Sequence, residues 1–332
     1  MALRIVFCGT PAFAVPSLEH LVRQPDFQMV GVVTQPDRPR GRGRHLHSSP
    51  VKNAAVRAGI PVYQPEKIKS DESYDYFKQL AADAVVIIAY GQIISQRLIL
   101  IPQLGWINLH ASLLPKYRGA APINWAITNG EEVTGVTTML IDAGLDTGPM
   151  LLQQMTRIAK DDTAPELAAR LAVEGAPLVS KTLRQLSRGE IAPVPQDHSQ
   201  ATLAPPLKKQ DGRIDWWRSP ESIYNQIRGV QPWPGAFTTF RGKKCQIWAK
   251  PVFPADFAVE SAHRESFLAP AHPARELPPP GTIGALPSMI LVRCGEKGAL
   301  RLEFVQMEGR NRVTAREFAN GAHLVAKERF ES

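Results

Sequence analysis

The stretch from residue 105 to residue 125, GWINLHASLLPKYRGAAPINW, combines a strand pattern with polar residues that share one face. Asn108, His110 and Ser112 alternate with apolar residues, and successive side chains of a strand point to opposite faces. Pro115 then ends the strand. Because ligands bind where the strands of an open sheet end, this pattern predicts a functional site directly after the strand.

The polar face of that strand carries groups suited to acyl transfer. A lone histidine is more often a satisfied core or surface residue than a catalyst, but Asn108 lies two residues before His110. An amide that donates and an imidazole that moves a proton can together stabilise an oxyanion. Asp146 follows the next apolar run, at 135–141, and one strand-helix-strand crossover would bring its carboxylate beside His110. We therefore expect Asn108, His110 and Asp146 to be catalytic.

The N-terminal part of the chain has the pattern of a Rossmann-like domain. Residues 3–8 form a buried apolar run, a turn follows at 9–11, and residues 13–24 have helical periodicity. Apolar runs and helical patterns keep alternating, which predicts a mostly parallel sheet. The turn has one glycine, Gly9, and then Pro11, so it lacks the glycines of a dinucleotide-binding loop. A nicotinamide or flavin cofactor is therefore disfavoured.

A change of pattern near residue 190 predicts a second domain. Residues 162–187 form a long helical pattern that can close the first domain, and the segment after it carries four prolines without periodicity. From residue 208 onward, short alternating runs between turns predict a small β-barrel of the oligonucleotide-binding type. The expected organisation is a catalytic domain at 1–190, a linker at 191–207 and a C-terminal barrel at 208–332, interrupted by a proline-rich insert at 251–281.

The charge of the chain is compatible with a polyanionic partner. It has 39 Lys and Arg against 31 Asp and Glu, a net charge of +8, with +2 before Lys208 and +6 from there on. The segment 38–47 contains four arginines, two histidines and no acid, and its glycines and prolines predict a mobile basic loop. Such arginines can pair with phosphates, the alternatives being a solvated loop and a charge that only aids solubility. The predicted nucleic-acid contacts are Arg38, Arg40, Arg42, Arg44, Lys208 and Lys209.

Metal ligands and export signals are both scarce in the sequence. His45 and His47 have the spacing of metal ligands, but the flanking arginines would repel a cation, so we expect no metal. The cysteines, at 8, 245 and 294, are too scattered for a disulfide framework. The first residues lack a signal-peptide pattern, and no apolar run approaches the ~18 residues of a membrane span. We therefore expect a cytoplasmic protein.

Several motifs together resemble a known family. They are Asn108 and His110, the turn Ser112-Leu-Leu-Pro115, the segment Arg118-Gly-Ala-Ala-Pro122 and the loop Leu145-Asp-Thr-Gly148. In these residues the chain resembles the 10-formyltetrahydrofolate-dependent formyltransferases. Further motifs extend the resemblance over nearly the whole chain, among them Gly9-Thr-Pro11, Ala89-Tyr-Gly91 and Pro232-Trp-Pro-Gly235.

The resemblance implies both the reaction and its ligands. The formyl donor would be 10-formyltetrahydrofolate, and the acceptor would be the α-amine of methionine carried by initiator tRNA, with the protein acting as a monomer. Asn108 and His110 would stabilise the oxyanion, and Asp146 would support His110 and accept a proton. The residues expected around the folate are Tyr90, Gly91, Gln92, Ile93, Ser112, Leu113, Leu114, Pro115 and Asp142.

Two other hypotheses remain open at this point. A member of the same superfamily could instead formylate the amine of a sugar nucleotide or hydrolyse the formyl donor, but the basic loop and the basic C-terminal part argue against both. The chain could also be a non-enzymatic RNA-binding protein on a Rossmann-like scaffold. In that case the spacing of Asn108, His110 and Asp146 would be accidental.

Overall fold

The computed structural model describes residues 2–40, 45–252, 277–295, 298–325 and 328–331. The chain forms two compact units. The first comprises Met1–Ile123, Val133–Ile158 and Glu166–Pro205, and the second comprises Asn124–Glu132, Ala159–Pro165 and Pro206–Ser332. Most of the segment predicted as a linker, 191–207, therefore belongs to the first unit.

A seven-stranded sheet forms the centre of the first unit. The strands up to residue 190 are β1 (Leu3–Gly9), β2 (Phe27–Val33), β3 (Arg38–Arg40), β4 (His45–His47), β5 (Val62–Tyr63), β6 (Ala84–Ile88), β7 (Trp106–His110), β8 (Val133–Leu140) and β9 (Met150–Arg157). The helices of this part are α1 (Val15–Val22), α2 (Pro50–Arg57), α3 (Asp71–Leu80), α4 (Gln96–Ile99), α5 (Pro122–Thr128) and α6 (Ala164–Ser187). The sheet has the order β5-β2-β1-β6-β7-β8-β9. Its first five strands run parallel, which confirms the predicted Rossmann-like, mostly parallel sheet.

The central strands form because they are covered on both faces. Every residue of β6 is buried, as expected for the continuous apolar run of a central parallel strand. Trp106, at the start of β7, is fully buried, and its indole N–H donates to the carbonyl oxygen of Leu98 at 2.8 Å. Its ring centroid lies 5.1 Å from that of Phe77. β7 therefore begins at a fixed point in the core, which sets the position of the polar residues that follow.

The sheet differs from the sequence-based expectation at its last two strands. β8 runs antiparallel to β7, with His110 opposite Thr137 and Ile107 opposite Leu140, and β9 runs antiparallel to β8. The expected crossover between parallel strands is therefore wrong. Because β8 is antiparallel to β7, it starts near His110 and ends at the opposite end of β7.

The basic segment 38–47 also differs from the expectation. The sequence predicts a loop, whereas β3 and β4 pair as an antiparallel ribbon with Arg38 opposite His47. Glycine and proline disfavour a helix here, but a proline such as Pro39 is compatible with a short strand at an edge. Residues 41–44, which include Arg42 and Arg44, lie outside the described residues, as does the side chain of Arg40.

The second unit contains a curled antiparallel sheet. Its strands are β10 (Phe237–Phe240), β11 (Lys243–Pro251), β12 (Ile283–Ala285), β13 (Ile290–Arg293), β14 (Ala299–Met307) and β15 (Val313–Thr314), and its helices are α7 (Pro220–Gly229) and α8 (Ala315–Gly321). The order is β10-β11-β14-β13-β12, with β15 paired to β14. The chain end bridges both edges, since Glu331 pairs with Thr239 and Arg329 with Thr282. The predicted barrel is thus confirmed, while residues 253–276 of the predicted insert lie outside the described residues.

The inner face of the curled sheet forms a hydrophobic core. Ile247 and Val305, from neighbouring strands, are buried there together with Trp216. The indole N–H of Trp216 donates to Thr238 Oγ1 at 3.0 Å, and its ring stacks on Phe330 at 5.6 Å between centroids. These contacts tie the segment that enters the unit to the chain end that completes it.

The cysteines are buried and unpaired. Cys8, Cys245 and Cys294 are free, as expected, and burial raises the pKa of each thiol. Among the described residues, no helix is long and apolar enough to cross a membrane. The same part of the chain has no group of three or more His, Cys, Asp or Glu side chains placed to hold a metal ion.

Candidate active site

The polar face of β7 ends at His110, which is 6% exposed. His110 Nε2 lies 2.8 Å from the carbonyl oxygen of Tyr117. A carbonyl only accepts, so Nε2 carries the hydrogen and Nδ1 is the nitrogen that can take up or release a proton. The turn after β7 therefore sets both the orientation of the imidazole and the atom available for chemistry.

Asp146 lies beside that nitrogen. Its Oδ2 atom is 3.6 Å from His110 Nδ1 and accepts a hydrogen bond from the backbone N–H of Gly119 at 2.9 Å. Asp146 has a φ of 51°, so its backbone is in the left-handed region that L-residues rarely adopt. Asp146 thus meets His110 as the sequence predicts, but through a loop that folds back along β7 instead of a parallel crossover.

Asn108 lies on the same face of β7, two residues before His110. It is 9% exposed, and its side-chain amide makes no hydrogen bond with any residue that the structure describes. A nearly buried amide without a partner costs free energy unless a ligand or water satisfies it. The amide of Asn108 is therefore available to a ligand oxygen.

Together these three side chains can stabilise a developing oxyanion. The carboxylate of Asp146 lies 3.6 Å from Nδ1, and an imidazole that carries a proton on Nδ1 has a second N–H to donate. The amide of Asn108 supplies a further donor, and donors held in place before the reaction need no rearrangement during it. Such a site requires no nucleophilic side chain, because the attacking group can belong to the acceptor.

A second polar cluster, which sequence reasoning missed, supports the loop of Asp146. The side-chain N–H groups of Gln196 donate to the carbonyl oxygens of Asp146 and Gly148 at 2.8 and 2.7 Å. Its Oε1 atom accepts from Nε and Nη2 of Arg118 at 3.0 and 2.7 Å. Nη1 of Arg118 donates to Nδ1 of His198 at 3.1 Å. No local signal marks Gln196, because it follows a proline in a segment without periodicity.

The residues expected to bind folate after β7 form a tight turn. Ser112 and Leu114 are buried, and their polar groups are engaged within the fold. Ser112 Oγ donates to a backbone carbonyl at 2.6 Å, and the N–H of Leu114 donates to Thr137 Oγ1 at 3.1 Å. Leu113 and Pro115 are half-buried. The accessible surface of this turn is therefore provided mainly by Leu113 and Pro115.

The residues expected on the other side of the folate follow β6, whose carboxyl end lies next to that of β7. Tyr90 is buried, its hydroxyl has no hydrogen-bond partner among the described residues, and burial raises its pKa. Gly91 has a φ of 90°, which allows a sharp turn there. The side chain of Gln92 accepts from the N–H of Ile68 at 2.8 Å, whereas Ile93 is 88% exposed.

Asp142 shapes the beginning of the loop that carries Asp146. Its Oδ1 atom accepts from the N–H of Gly144 at 3.0 Å and from the hydroxyl of Thr147 at 2.8 Å. The preceding residue donates its N–H to the carbonyl of Trp106 at 2.8 Å, which places this end of the loop at the start of β7. Within the described residues Asp146, and not Asp142, pairs with His110.

The predicted RNA-binding residues occur in both units. Arg38 pairs with Glu66 at 2.6 Å, so its charge is offset. Lys208 and Lys209 are exposed, and neither ammonium group forms an ion pair with a described residue. These two lysines are therefore available to an anionic partner.

The outward face of the curled sheet carries aromatic and basic residues that sequence reasoning missed. Lys244 Nζ lies 4.0 Å from the ring centroid of Phe237. The guanidinium of Arg312 lies 4.3 Å from the ring centroid of Trp248 and 3.9 Å from that of Phe304. Phe304 is the cross-strand neighbour of Trp248. These residues form the outer-face cluster. The alternating pattern of β11 could have found it, because every second residue of that strand points away from the core.

Comparison with known families matches both parts of the chain. A family model described as formyl transferase matches residues 3–183, and one described as the formyl transferase C-terminal domain matches residues 206–323. The methionyl-tRNA formyltransferase of Solibacter usitatus is 52% identical over 329 residues, which cover 99% of this chain and 98% of the relative. That of Geobacter metallireducens is 44% identical over 323 residues, which cover 97% and 96%.

Solved structures share the fold at low sequence identity. The sugar 3N-formyl transferase WlaRD, solved with dTDP and 5-N-formyl-THF, has a TM-score of 0.60 and 17% identity, covering 94% of this chain and 100% of that one. An N-formyltransferase from Helicobacter canadensis, solved with folinic acid and dTDP-3-aminofucose, has a TM-score of 0.62 and 18% identity, covering 92% and 100%. The solved structures establish the shared fold, while the family models and the sequence relatives establish that this chain belongs to the formyl transferase family and, within it, to the methionyl-tRNA formyltransferases.

Proposed function

We propose that the protein transfers the formyl group of 10-formyltetrahydrofolate to the α-amino group of methionyl initiator tRNA, giving N-formylmethionyl-tRNA for translation initiation. The observation that carries the proposal is the group of Asn108, His110 and Asp146 at the end of β7, in which Asp146 Oδ2 lies 3.6 Å from His110 Nδ1. The relatives named methionyl-tRNA formyltransferase support the acceptor, and the folate bound to WlaRD supports the class of donor.

The residues of the site account for the bonds and protons of this reaction. The acceptor amine forms a bond to the formyl carbon and loses a proton, while the bond from that carbon to the donor nitrogen breaks and the nitrogen gains a proton. The amide of Asn108 and the protonated Nδ1 of His110 donate to the formyl oxygen as negative charge develops there. Asp146 supports His110 and accepts the proton of the amine, directly or through water, and the same proton then passes to the donor nitrogen as that nitrogen leaves.

The proposed folate pocket lies at the carboxyl ends of β6 and β7. The loop 90–93 forms one wall, the loop 142–146 forms the other, and the turn 112–115 places the donor next to His110. Support comes from Ile93, which offers an exposed apolar surface for a flat ring. The loop before it is held by two hydrogen bonds to the carbonyl of Tyr90, at 3.0 and 3.1 Å.

Titration with a non-reactive folate analogue tests this pocket. We expect Ile93→Asp and Pro115→Gly to weaken binding of the analogue, because both change the accessible surface of the proposed walls. Leu100→Asp is a matched control, since Leu100 is also a strongly exposed aliphatic residue. Parent-like affinity in both pocket variants would place the folate elsewhere.

The proposed tRNA-binding surfaces are the segment 38–47, which contains the ribbon of β3 and β4, and the second unit. The ribbon is too small to hold a folded tRNA alone, but its arginines can pair with phosphates at the acceptor end. In the second unit, Lys208 and Lys209 offer unpaired charge. The outer-face cluster adds aromatic rings and guanidinium planes, on which unpaired bases stack.

We also propose a cellular compartment and an oligomeric state for the enzyme. Aminoacylated tRNA is used where proteins are made, so we assign the enzyme to the cytoplasm, where it acts as a monomer. Light scattering in solution tests the monomer by giving the molar mass directly. A mass twice that of the chain, at working concentration, would contradict it.

A transfer assay with different acceptors tests the proposed reaction. The protein is incubated with a labelled formyl donor and, in turn, with methionyl initiator tRNA, methionyl elongator tRNA or a dTDP-linked amino sugar. We expect label on the initiator tRNA. Label on the amino sugar would indicate sugar formyl transfer, and release of labelled formate without an acceptor would indicate hydrolysis. Binding of tRNA without any transfer would leave a non-enzymatic RNA-binding protein.

A further inference from the structure

The loop that carries Asp146 has to fold back to reach the catalytic histidine. Leu140, the last residue of β8, lies opposite Ile107, whereas His110 lies three residues further along β7. The loop therefore returns by about 10 Å before Asp146 meets Nδ1, since a strand rises about 3.3 Å per residue. The left-handed backbone of Asp146, with a φ of 51°, is a conformation that the surrounding structure has to hold.

The side chain of Gln196 holds this loop by its backbone. Gln196 is 5% exposed, and its amide uses its full hydrogen-bonding capacity. The N–H groups donate to the carbonyl oxygens of Asp146 and Gly148, and the oxygen accepts twice from Arg118. Carbonyls only accept and a guanidinium only donates, so the amide has one possible orientation. Gln196 is therefore locked against the loop.

The segment that delivers Gln196 is itself anchored to the first unit. Val194 and Met150 exchange two backbone hydrogen bonds, both of 2.8 Å, at the start of β9. Further along, the N–H of Ala204 donates to the carbonyl of Arg118 at 2.7 Å. The stretch predicted as a linker thus reaches the catalytic loop at a defined place.

The buried guanidinium of Arg118 costs more free energy than a purely structural contact would explain. It is 6% exposed, and its side-chain partners are the oxygen of Gln196 and a neutral histidine nitrogen. Burying a guanidinium without a carboxylate costs free energy, so the stability of the fold does not explain its presence. The position of Arg118 in the chain does explain its presence. The backbone carbonyl of Tyr117 accepts from His110, and the backbone N–H of Gly119 donates to Asp146.

These contacts form a closed ring. It runs from His110 to Tyr117, along the chain to Arg118, across to Gln196 and on to Asp146, which faces His110 again. We propose that Gln196 is a positioning residue that sets the separation between the Asp146 carboxylate and His110 Nδ1, with Arg118 orienting its amide. The inference rests on the proposed function, because it concerns the same catalytic group.

Two variants of Gln196 test the ring. Gln196→Glu keeps the size of the side chain and a partner for Arg118, but it replaces the donating N–H groups that hold the loop. Gln196→Ala removes the contact altogether. The matched control is Gln200→Glu, an exposed glutamine of the same segment. Each variant is assayed for kcat and for KM of both substrates, and the ring nitrogens of His110 are observed by ¹⁵N NMR in the protein without substrates.

We expect both Gln196 variants to lower kcat by up to about 100-fold, which is the cost of misplacing a reacting group by about 1 Å. The KM of each substrate should stay unchanged. The Nδ1 signal of His110 should move in both variants and stay unchanged in Gln200→Glu. A parent-like kcat, or a lowered kcat with an unchanged Nδ1 signal, would overturn the inference. If Gln196→Ala does not fold, Gln196→Glu decides alone. If the parent transfers no formyl group to any acceptor, the proposed function fails, and the NMR comparison still tests the ring.

Discussion

The proposed catalytic group of the first unit, Asn108, His110 and Asp146, and the outer-face cluster of the second place charge in two different ways. His110 and Asn108 are 6% and 9% exposed, and both nitrogens of the imidazole face a defined neighbour. Arg312, by contrast, is exposed and rests on the rings of Trp248 and Phe304. Charge development in a reaction is stabilised by donors that are fixed beforehand and shielded from water, whereas a polyanion is bound well by exposed charge on flat surfaces. The two regions should therefore respond differently to mutation.

Removing a catalytic donor should have the largest effect. We expect Asn108→Ala and His110→Ala each to lower kcat about 100-fold to 1,000-fold, the usual cost of one oxyanion donor. Thermal unfolding of Asn108→Ala should stay close to that of the parent, because its amide has no described partner. Asn53→Ala, at an exposed asparagine of α2, is the control. Near-normal turnover in His110→Ala would show that Asn108, His110 and Asp146 have a structural role and not a catalytic one.

The outer-face cluster should affect binding and leave the chemical step intact. Stacking is worth about 1–3 kcal/mol per base, so we expect Trp248→Ala to weaken tRNA binding about 5-fold to 150-fold without changing its salt dependence. Arg312→Ala should instead flatten the slope of log affinity against log salt by about 0.7–0.9. Filter binding at several salt concentrations measures both effects, with Arg57→Ala as the control for lost surface charge.

These two variants also sharpen the comparison between the regions. A lower kcat at saturating tRNA with unchanged affinity in Trp248→Ala would show that the outer face belongs to the chemistry and not to binding. An unchanged salt slope in Arg312→Ala would mean that its guanidinium meets no phosphate.

Arg42 tests whether the ribbon behaves like the binding region. It lies outside the described residues, so this prediction rests on the sequence alone. We expect Arg42→Ala to reduce kcat/KM for tRNA about 10-fold to 150-fold, since a hydrogen bond to a charged group is worth about 1.5–3 kcal/mol. Binding of a folate analogue, measured in parallel, should remain at the parent level. Loss of analogue binding would show that the segment around Arg42 contributes to the folate site and not only to tRNA binding.

An ion pair outside both regions should have the smallest effect. Arg184 of α6 binds Asp26 with contacts of 2.6 and 2.9 Å, and this hydrogen bonding lowers the pKa of Asp26. The stabilisation is therefore present above the pKa of the unfolded chain and is lost as the pH falls through the lower folded pKa. Since the Asp26 side chain is 43% exposed, solvent screens the pair, and we expect about 0.5 kcal/mol.

Urea unfolding at neutral pH and near pH 3 measures this contribution. Asp26→Asn should lower the free energy of unfolding at neutral pH and reduce the difference between the two pH values. Asp75→Asn, at an exposed aspartate of α3, controls for the loss of a surface charge. An equal loss at both pH values would show that the pair does not act through its ionisation.

The sequence by itself determined the parallel core, the barrel and the polar face of β7. Each follows from a local period: the apolar run of β6 predicts a strand covered on both faces, and residues two apart on a strand share a face wherever the strand lies. The alternation along β7 is therefore enough to pair Asn108 with His110. A rule of the same kind predicts a ligand site after β6 and β7, because ligands bind at the carboxyl ends of strands, and its occupation by folate stays a proposal.

Only the tertiary structure decided the direction of β8, the path by which Asp146 reaches His110, and the part played by Gln196. Periodicity is the same for a parallel and an antiparallel strand, so it carries no information on direction. Gln196 and Arg118 are 78 residues apart and meet because buried polar groups must find partners inside the fold. Which groups satisfy one another depends on the packing of the whole unit, and no spacing along the chain records that choice.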